Sequence, residues 1–167
     1  RNAQISAEIQ IVDPNDPINR RILAELVANA RIPISELATR VGLSKTPVAA
    51  RIRQMEEAGL ITGYRAMLSP LKLGLTHVTY VEVKMNDTRQ SALDRFNAGV
   101  RLIPEVEECY MIAGGFDYLL KVRSRDMRHF RAIMAERISA LPFIHATSSY
   151  VSMEAVVEQN WDILDTD

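Results

Sequence analysis

The chain has 167 residues, 47% hydrophobic and 25% charged, with a formal net charge of −1 and a pI near 6.4. That length suits one or two small domains, and no run of about 18 apolar residues is present to span a membrane as a helix. Cys109 is the single cysteine, so neither an internal disulfide nor a cysteine-based zinc site is expected. It reads as a small buried strand residue, and with no secretory signal visible a cytoplasmic location is expected.

The charge is unevenly spread. Residues 1–70 hold nine Lys/Arg against seven Asp/Glu, and residues 71–167 hold eleven against fourteen. A mildly basic N-terminal module is therefore expected to meet a mildly acidic one near Ser69-Pro70.

Asp16-Pro17 reads as a helix start, a carboxylate cap followed by proline at the first helical position. Ile18, Ile22, Leu23, Leu26 and Val27 then form an apolar stripe. In the next helix Ile34, Leu37, Ala38 and Val41 recur at i, i+3, i+4 and i+7, one buried face. Gly42 just past the last of them allows a left-handed turn, and Ser44 is placed to accept a backbone hydrogen bond where the following helix opens. In that helix Val48, Ile52 and Met55 form the inward stripe, with Pro47 in the first turn, where a missing N–H costs little. Thr46, Ala50 and Arg53 point outward, with Ala49 and Gln54 to the sides.

Two short helices folded about a Gly42-Leu43-Ser44 corner make a helix-turn-helix, and the preceding helix completes a unit able to bury its own core. Arg40, Lys45, Arg51 and Arg53 lie in a stretch without an acid, the kind of patch that neutralises phosphates. The expected contacts to double-stranded operator DNA are Ser44, Lys45, Thr46, Pro47, Ala49, Ala50, Arg53 and Gln54.

After Gly63 the period changes. Residues 76–84 are β-branched and aromatic and read as a strand. Leu93, Phe96, Val100 and Ile103 mark a helix over 90–103, stopped by Pro104. Strands are expected over 106–113 and 117–123, joined by Gly114-Gly115-Phe116 as a hairpin in which glycine supplies positive φ. A helix over 127–140 carries Met127, Phe130, Ile133, Met134 and Ile138, and a last strand covers roughly 145–157. Phe96 with Ile103-Pro104-Glu105-Val106 is echoed by Phe130 with Leu141-Pro142-Phe143-Ile144. The order βαββαβ predicts a ferredoxin-like antiparallel sheet with two helices on one face. Its other face, carrying Tyr80 or Val81 and Met111, is expected to serve sheet-to-sheet homodimerisation.

The fold class expected is thus α+β: a three-helix helix-turn-helix domain over 12–63, a linker strand over 64–74 and a ferredoxin-like domain over 75–158. The segments RVGLSKTPVAARIRQMEEAGLITGY, GGFDYLLKVRSRDM and YVSMEAVVE resemble the Lrp/AsnC family, the leucine-responsive and asparagine-responsive "feast/famine" regulators of bacteria and archaea. The resemblance spans residues 12–158. It implies a DNA-binding transcriptional regulator of amino-acid metabolism whose C-terminal domain senses a small amino acid. It also implies homodimers that assemble into an octamer, with the effector at the contact between dimers.

Carried over by position, the effector loop is Gly114, Gly115, Phe116, Asp117 and Tyr118, with Asp117 as its acidic residue, and Met127 and Tyr150 match positions tied to effector response. Where the family often has Gly-Asp-Phe-Asp, this chain has Gly115 in place of the first aspartate, which points to a neutral effector such as leucine, proline or alanine. Pro33 stands where a serine or threonine often caps the first helix of the motif, so Glu36 lacks half of a capping box.

The remaining residues bear on two other classes. His77, His129 and His145 are dispersed and no phosphate loop follows a strand, so no metal, cofactor or enzymatic activity is expected. Some tetrapyrrole decarboxylases resemble the same two-domain fold, and Arg123, Arg125 and His129 are the residues such a reading would use. An architectural protein that packs DNA with little sequence choice is the third class.

Overall fold

The computed structural model describes residues 12–158, and the chain divides into two compact units between Met67 and Leu68. The division falls inside the stretch expected as a linker. That stretch is not a strand: residues 62–69 have no regular structure and 70–74 form a turn closed by Leu75 N–H to the Pro70 carbonyl at 2.8 Å.

The first unit contains α1 (Pro17–Ala28), α2 (Ile34–Val41) and α3 (Lys45–Glu57). The Asp16 carboxylate caps α1, accepting from Ile18 N–H at 2.8 Å and Asn19 N–H at 3.0 Å. Pro33 stands at the cap of α2 without a side-chain bond, as the missing hydroxyl predicts. Gly42 ends α2 at φ 74°, a conformation that a side chain would strain. Ser44 occupies the cap position of α3, but its hydroxyl makes no capping bond; the corner is held instead by Leu43 N–H to the Ala38 carbonyl at 2.9 Å.

Ile22, Leu37, Val48 and Met55 are fully buried and form the centre of the helical core with Ala38, Val41 and Ile52. Two residues expected on buried stripes are outside it. Val27 is 51% exposed and Ile34 is 37% exposed. Val27 sits in the last turn of α1 and Ile34 is the first residue of α2, and at helix ends burial depends on neighbouring elements rather than on periodicity.

The second unit contains β1 (His77–Met85), α4 (Gln90–Val100), β2 (Val106–Met111), β3 (Tyr118–Ser124), α5 (Met127–Ile133) and β4 (Ile144–Val151). The sheet is antiparallel in the order β2-β3-β1-β4, the arrangement expected of βαββαβ. Val81, Val83, Leu120 and Val122 lie on one face and pack with Phe96 of α4 and Phe130 and Ile133 of α5. Val81 therefore belongs to the core and Tyr80 to the open face.

Met111 was expected on that open face. It pairs with Tyr118 instead, and Tyr118 packs against Phe96, their ring centroids 4.4 Å apart, so Met111 is on the helix side. The cause is a register shift in β2 between Val106 and Glu108: one extra residue in a strand turns every later side chain to the other face.

α5 does not continue regularly to 140. Met134–Ile138 form a π-helical turn, closed by Ser139 N–H to the Met134 carbonyl at 2.8 Å. In a regular helix Ile133 and Ile138 would lie about 140° apart, and the wider turn buries both. β4 ends at Val151 rather than 157. Ser152 N–H still reaches the Val78 carbonyl at 2.9 Å, after which the Ser152 hydroxyl donates to the Glu154 carbonyl at 3.3 Å and the chain leaves the sheet.

Candidate functional sites

The helical unit presents α3 outward. Ser44, Lys45, Thr46, Pro47, Ala50, Arg53 and Gln54 are exposed and Ala49 is half-buried, because Val48, Ile52 and Met55 fix the opposite face in the core. Lys45, Thr46, Ala49, Ala50 and Arg53 share the wall of a shallow depression of about 430 Å³, and its sixth lining residue is Ile34. Ser44, Pro47 and Gln54 lie outside that depression. The apolar stripe of α2 places Ile34 in the core; its position at the very start of α2 is the signal that the stripe runs out past the covered surface.

The four basic residues expected to act together divide in two. Arg40 bonds Glu25 at 2.7 Å and Glu36 at 2.6 Å, and those carboxylates push its pKa up. Arg51 donates to Asn19 Oδ1 at 2.8 Å and Asp16 Oδ1 at 3.3 Å, tying α3 to the start of α1. Lys45 and Arg53 have no ion-pair partner among the described residues, and both flank the depression. Two cations rather than four are thus left without an ion-pair partner on this surface, among the described residues.

In the second unit the hairpin between β2 and β3 is closed by Ile112 N–H to the Asp117 carbonyl at 2.8 Å. Gly114 and Gly115 do not have positive φ, contrary to the expectation for this turn. A side chain would fit at either: a Cβ on Gly114 would meet only the Ile112 side chain at 3.5 Å, and one on Gly115 nothing within 4 Å. Gly114 and Gly115 are exposed, and Phe116 and Asp117 are half-buried. The Asp117 carboxylate accepts from Met85 N–H at 2.7 Å through Oδ2, and Asp117 N–H donates to the Val83 carbonyl at 2.9 Å.

Tyr118 points into the core, its hydroxyl beside Asn97, and burial pushes its pKa up. Met127 is 47% exposed at the first turn of α5, which follows the far end of β3, about 20 Å from the hairpin at some 3.3 Å per residue. Tyr150 lies on the open face of the sheet opposite Tyr80 and donates to Glu82 Oε2 at 3.3 Å. The hairpin and Met127 therefore do not converge within one chain.

The residues of the tetrapyrrole reading do not converge either. Arg123 is on the open sheet face, paired with Glu107 and donating to the Leu75 carbonyl at 3.2 Å. His129 belongs to α5 on the other face and accepts from Arg125 N–H at 3.2 Å. Cys109 is half-buried, and burial pushes its thiol pKa up, away from reactivity.

A basic, exposed second helix of a helix-turn-helix, joined in sequence to a ferredoxin-like unit, defines a DNA-binding protein with a separate regulatory domain. Residues 15–62 match the winged helix-turn-helix DNA-binding model and residues 78–162 the Lrp/AsnC ligand binding domain. No strand occurs within residues 12–76, so the helical part alone carries the first match. The chain is 75% identical to the proline dehydrogenase transcriptional activator of Rhodobacter capsulatus over 150 residues, 90% of this chain and 97% of that one. It is 49% identical to the protein of that name from Rhizobium radiobacter, over 87% and 94% of the two chains. A transcriptional regulator from Neisseria meningitidis, solved with L-methionine, superposes with a TM-score of 0.81 at 30% identity, covering 86% of this chain and 92% of that one. The chain belongs to the Lrp/AsnC family and is an amino-acid-responsive transcriptional regulator.

Proposed function

We propose that this chain activates transcription of a proline dehydrogenase gene when proline is abundant, acting in the cytoplasm by binding rather than by catalysis. The 75% identity to an activator of that gene, over nearly its whole length, carries the reading. Lys45 and Arg53 contact operator DNA, Lys45 at phosphate and Arg53 at phosphate or a guanine edge, with Ser44, Thr46, Pro47, Ala49, Ala50 and Gln54 completing the surface.

Proline is bound by the hairpin Gly114–Tyr118. Neither space nor backbone conformation demands glycine at 114 or 115, so the bare backbone there is free to serve a ligand or a second copy of the chain. The Asp117 carboxylate, with one oxygen committed to Met85 N–H, offers the other to the ammonium group. Because Met127 lies at the opposite end of β3 from the hairpin in one chain, it contributes from a neighbouring subunit, while Tyr150 stands on the open sheet face. Assembly into homodimers and then an octamer is supported by exposed Met67, Leu68, Leu71 and Leu73 and by Tyr80, Tyr110 and Tyr150.

Calorimetry over the twenty amino acids, paired with anisotropy on the proline dehydrogenase promoter, tests this. Proline is expected to bind and to change the promoter complex, and Asp117→Asn, which keeps an acceptor for Met85 N–H, is expected to lose the response. Binding of methionine or leucine but not proline would overturn the effector assignment. Equal affinity for promoter and random competitor DNA would favour an architectural role.

A further inference from the structure

Ile34 is the one large apolar side chain among the six residues lining the depression beside α3, and the fold leaves it there while Leu37, Ala38 and Val41 of the same helix are buried. Around it Ala49 and Ala50 contribute only methyl groups, Lys45 and Arg53 supply two cations, and Thr46 a hydroxyl. The depression has an apolar floor and a cationic rim. We propose that Ile34, Ala49 and Ala50 seat the 5-methyl group of a thymine in the major groove, making Ile34 a specificity-determining residue contributed by α2. The inference rests on the DNA-reading role of α3.

The chemistry selects thymine over the other bases. Only thymine presents an apolar group in the major groove. Its O4 acceptor, next to the methyl, is favoured by the positive potential of Lys45 and Arg53 while those side chains hold phosphate or a neighbouring guanine. Cytosine offers a bare C5–H and an amino donor at the same place, and adenine also directs an amino donor there. Either would set a donor against two cations and leave the floor unfilled. Guanine has acceptors for the rim but no methyl for the floor. A side chain larger than alanine at 49 or 50 would intrude on the place of the methyl, so small side chains matter here for what they leave open.

The test uses the full chain and duplexes selected by it from a random 30-base-pair pool. Each thymine of the enriched duplex is replaced in turn by deoxyuridine, which removes the methyl and nothing else, and dissociation constants are read by anisotropy at fixed salt. One thymine per half-site is expected to lose about three- to five-fold, the worth of one buried methyl, with the remaining thymines unchanged. Replacing that thymine by cytosine is expected to weaken binding further, and 5-methylcytosine to recover part of the loss.

In Ile34→Ala the uridine penalty is expected to vanish. Ala50→Ser, a change on an exposed helix surface, supplies the same readout should Ile34→Ala not fold. A flat uridine scan, or a penalty that persists in both variants, would overturn the seat while leaving sequence-specific binding intact. Failure to enrich any sequence would overturn the reading role of α3 itself, and the seat with it.

Discussion

In the helical unit the basic residues of α2 and α3 divide by direction. Arg40 and Arg51 turn back onto Glu25, Glu36, Asp16 and Asn19, whereas Lys45 and Arg53 stay outside. In the sheet unit they divide by face: Lys121 and Arg123 alternate with Leu120 and Val122 along β3, and meet Glu107 and Glu108 on the side without helices. In both units charge proximity in sequence is a poor guide to role. Arg51 and Arg53 are two residues apart, and only the angle between them separates a brace from a probe.

The largest effect expected from breaking this arrangement is in the apolar layer. Phe96 is fully buried against Tyr118, and Phe96→Ala is expected to destabilise the sheet unit by about 3–5 kcal/mol. Amide hydrogen exchange should show lost protection across β1, β3 and α4 with α1 to α3 unchanged. Equal loss in both units would show that they do not unfold separately.

The pair Arg51 and Arg53 sharpens the contrast. Arg51→Ala removes a charge-assisted bond to Asn19 and is expected to cost about 1–2 kcal/mol of stability. Arg53→Ala is expected to leave stability within about 0.5 kcal/mol, while weakening operator binding by about 1–3 kcal/mol if it reads a guanine edge. Thermal melts and anisotropy on the two variants decide it. A stability loss in Arg53→Ala would mean that both arginines are braces.

Much of this was legible from the sequence. The two units, α1 to α3 and the strand order follow from periodicity, caps and breakers, since Asp16-Pro17, Gly42 and Pro104 act locally. What was not legible depends on tertiary geometry. The one-residue shift at Glu107 that sends Met111 to the helix side leaves no local trace in Val106-Glu107-Glu108. The π-helical turn answers the need to bury both Ile133 and Ile138. Ile34 fits its stripe, and its exposure is set by what the neighbouring elements leave uncovered at the first residue of α2. Gly114-Gly115 looked like a conformational requirement and is not one.

That last difference gives a smaller expected effect. Gly115→Ala is expected to change stability by less than about 0.5 kcal/mol, because φ is not positive and the Cβ meets nothing within 4 Å. Its effect should appear in proline binding by calorimetry, or in subunit assembly by light scattering. A melting temperature lowered by several degrees would show that the hairpin needs glycine for its own sake.

The smallest effect is the pH response of two carboxylates, the cap of α1 in one unit and the partner of Arg89 in the other, which separates the units once more. The Asn19 backbone N–H, together with those of Ile18 and the Arg51 guanidinium, holds the Asp16 carboxyl below its ordinary value of 3.8. The Arg89 guanidinium holds Asp87, ahead of α4, at about 2. A carboxyl whose pKa is lower folded than unfolded binds more protons in the unfolded state, so it stabilises the fold above the unfolded value. That contribution fades as pH falls below about 4 and is gone once the folded pKa is passed. Asparagine caps a helix as aspartate does but does not titrate. Asp16→Asn should therefore flatten the acid limb of the helical unit below pH 4, and Asp87→Asn that of the sheet unit between pH 4 and 2. Hydrogen exchange at stepped pH reads the two units apart. If either variant follows the wild-type limb unchanged, its carboxyl has the same pKa folded and unfolded, and the bonds drawn to it do not persist in solution.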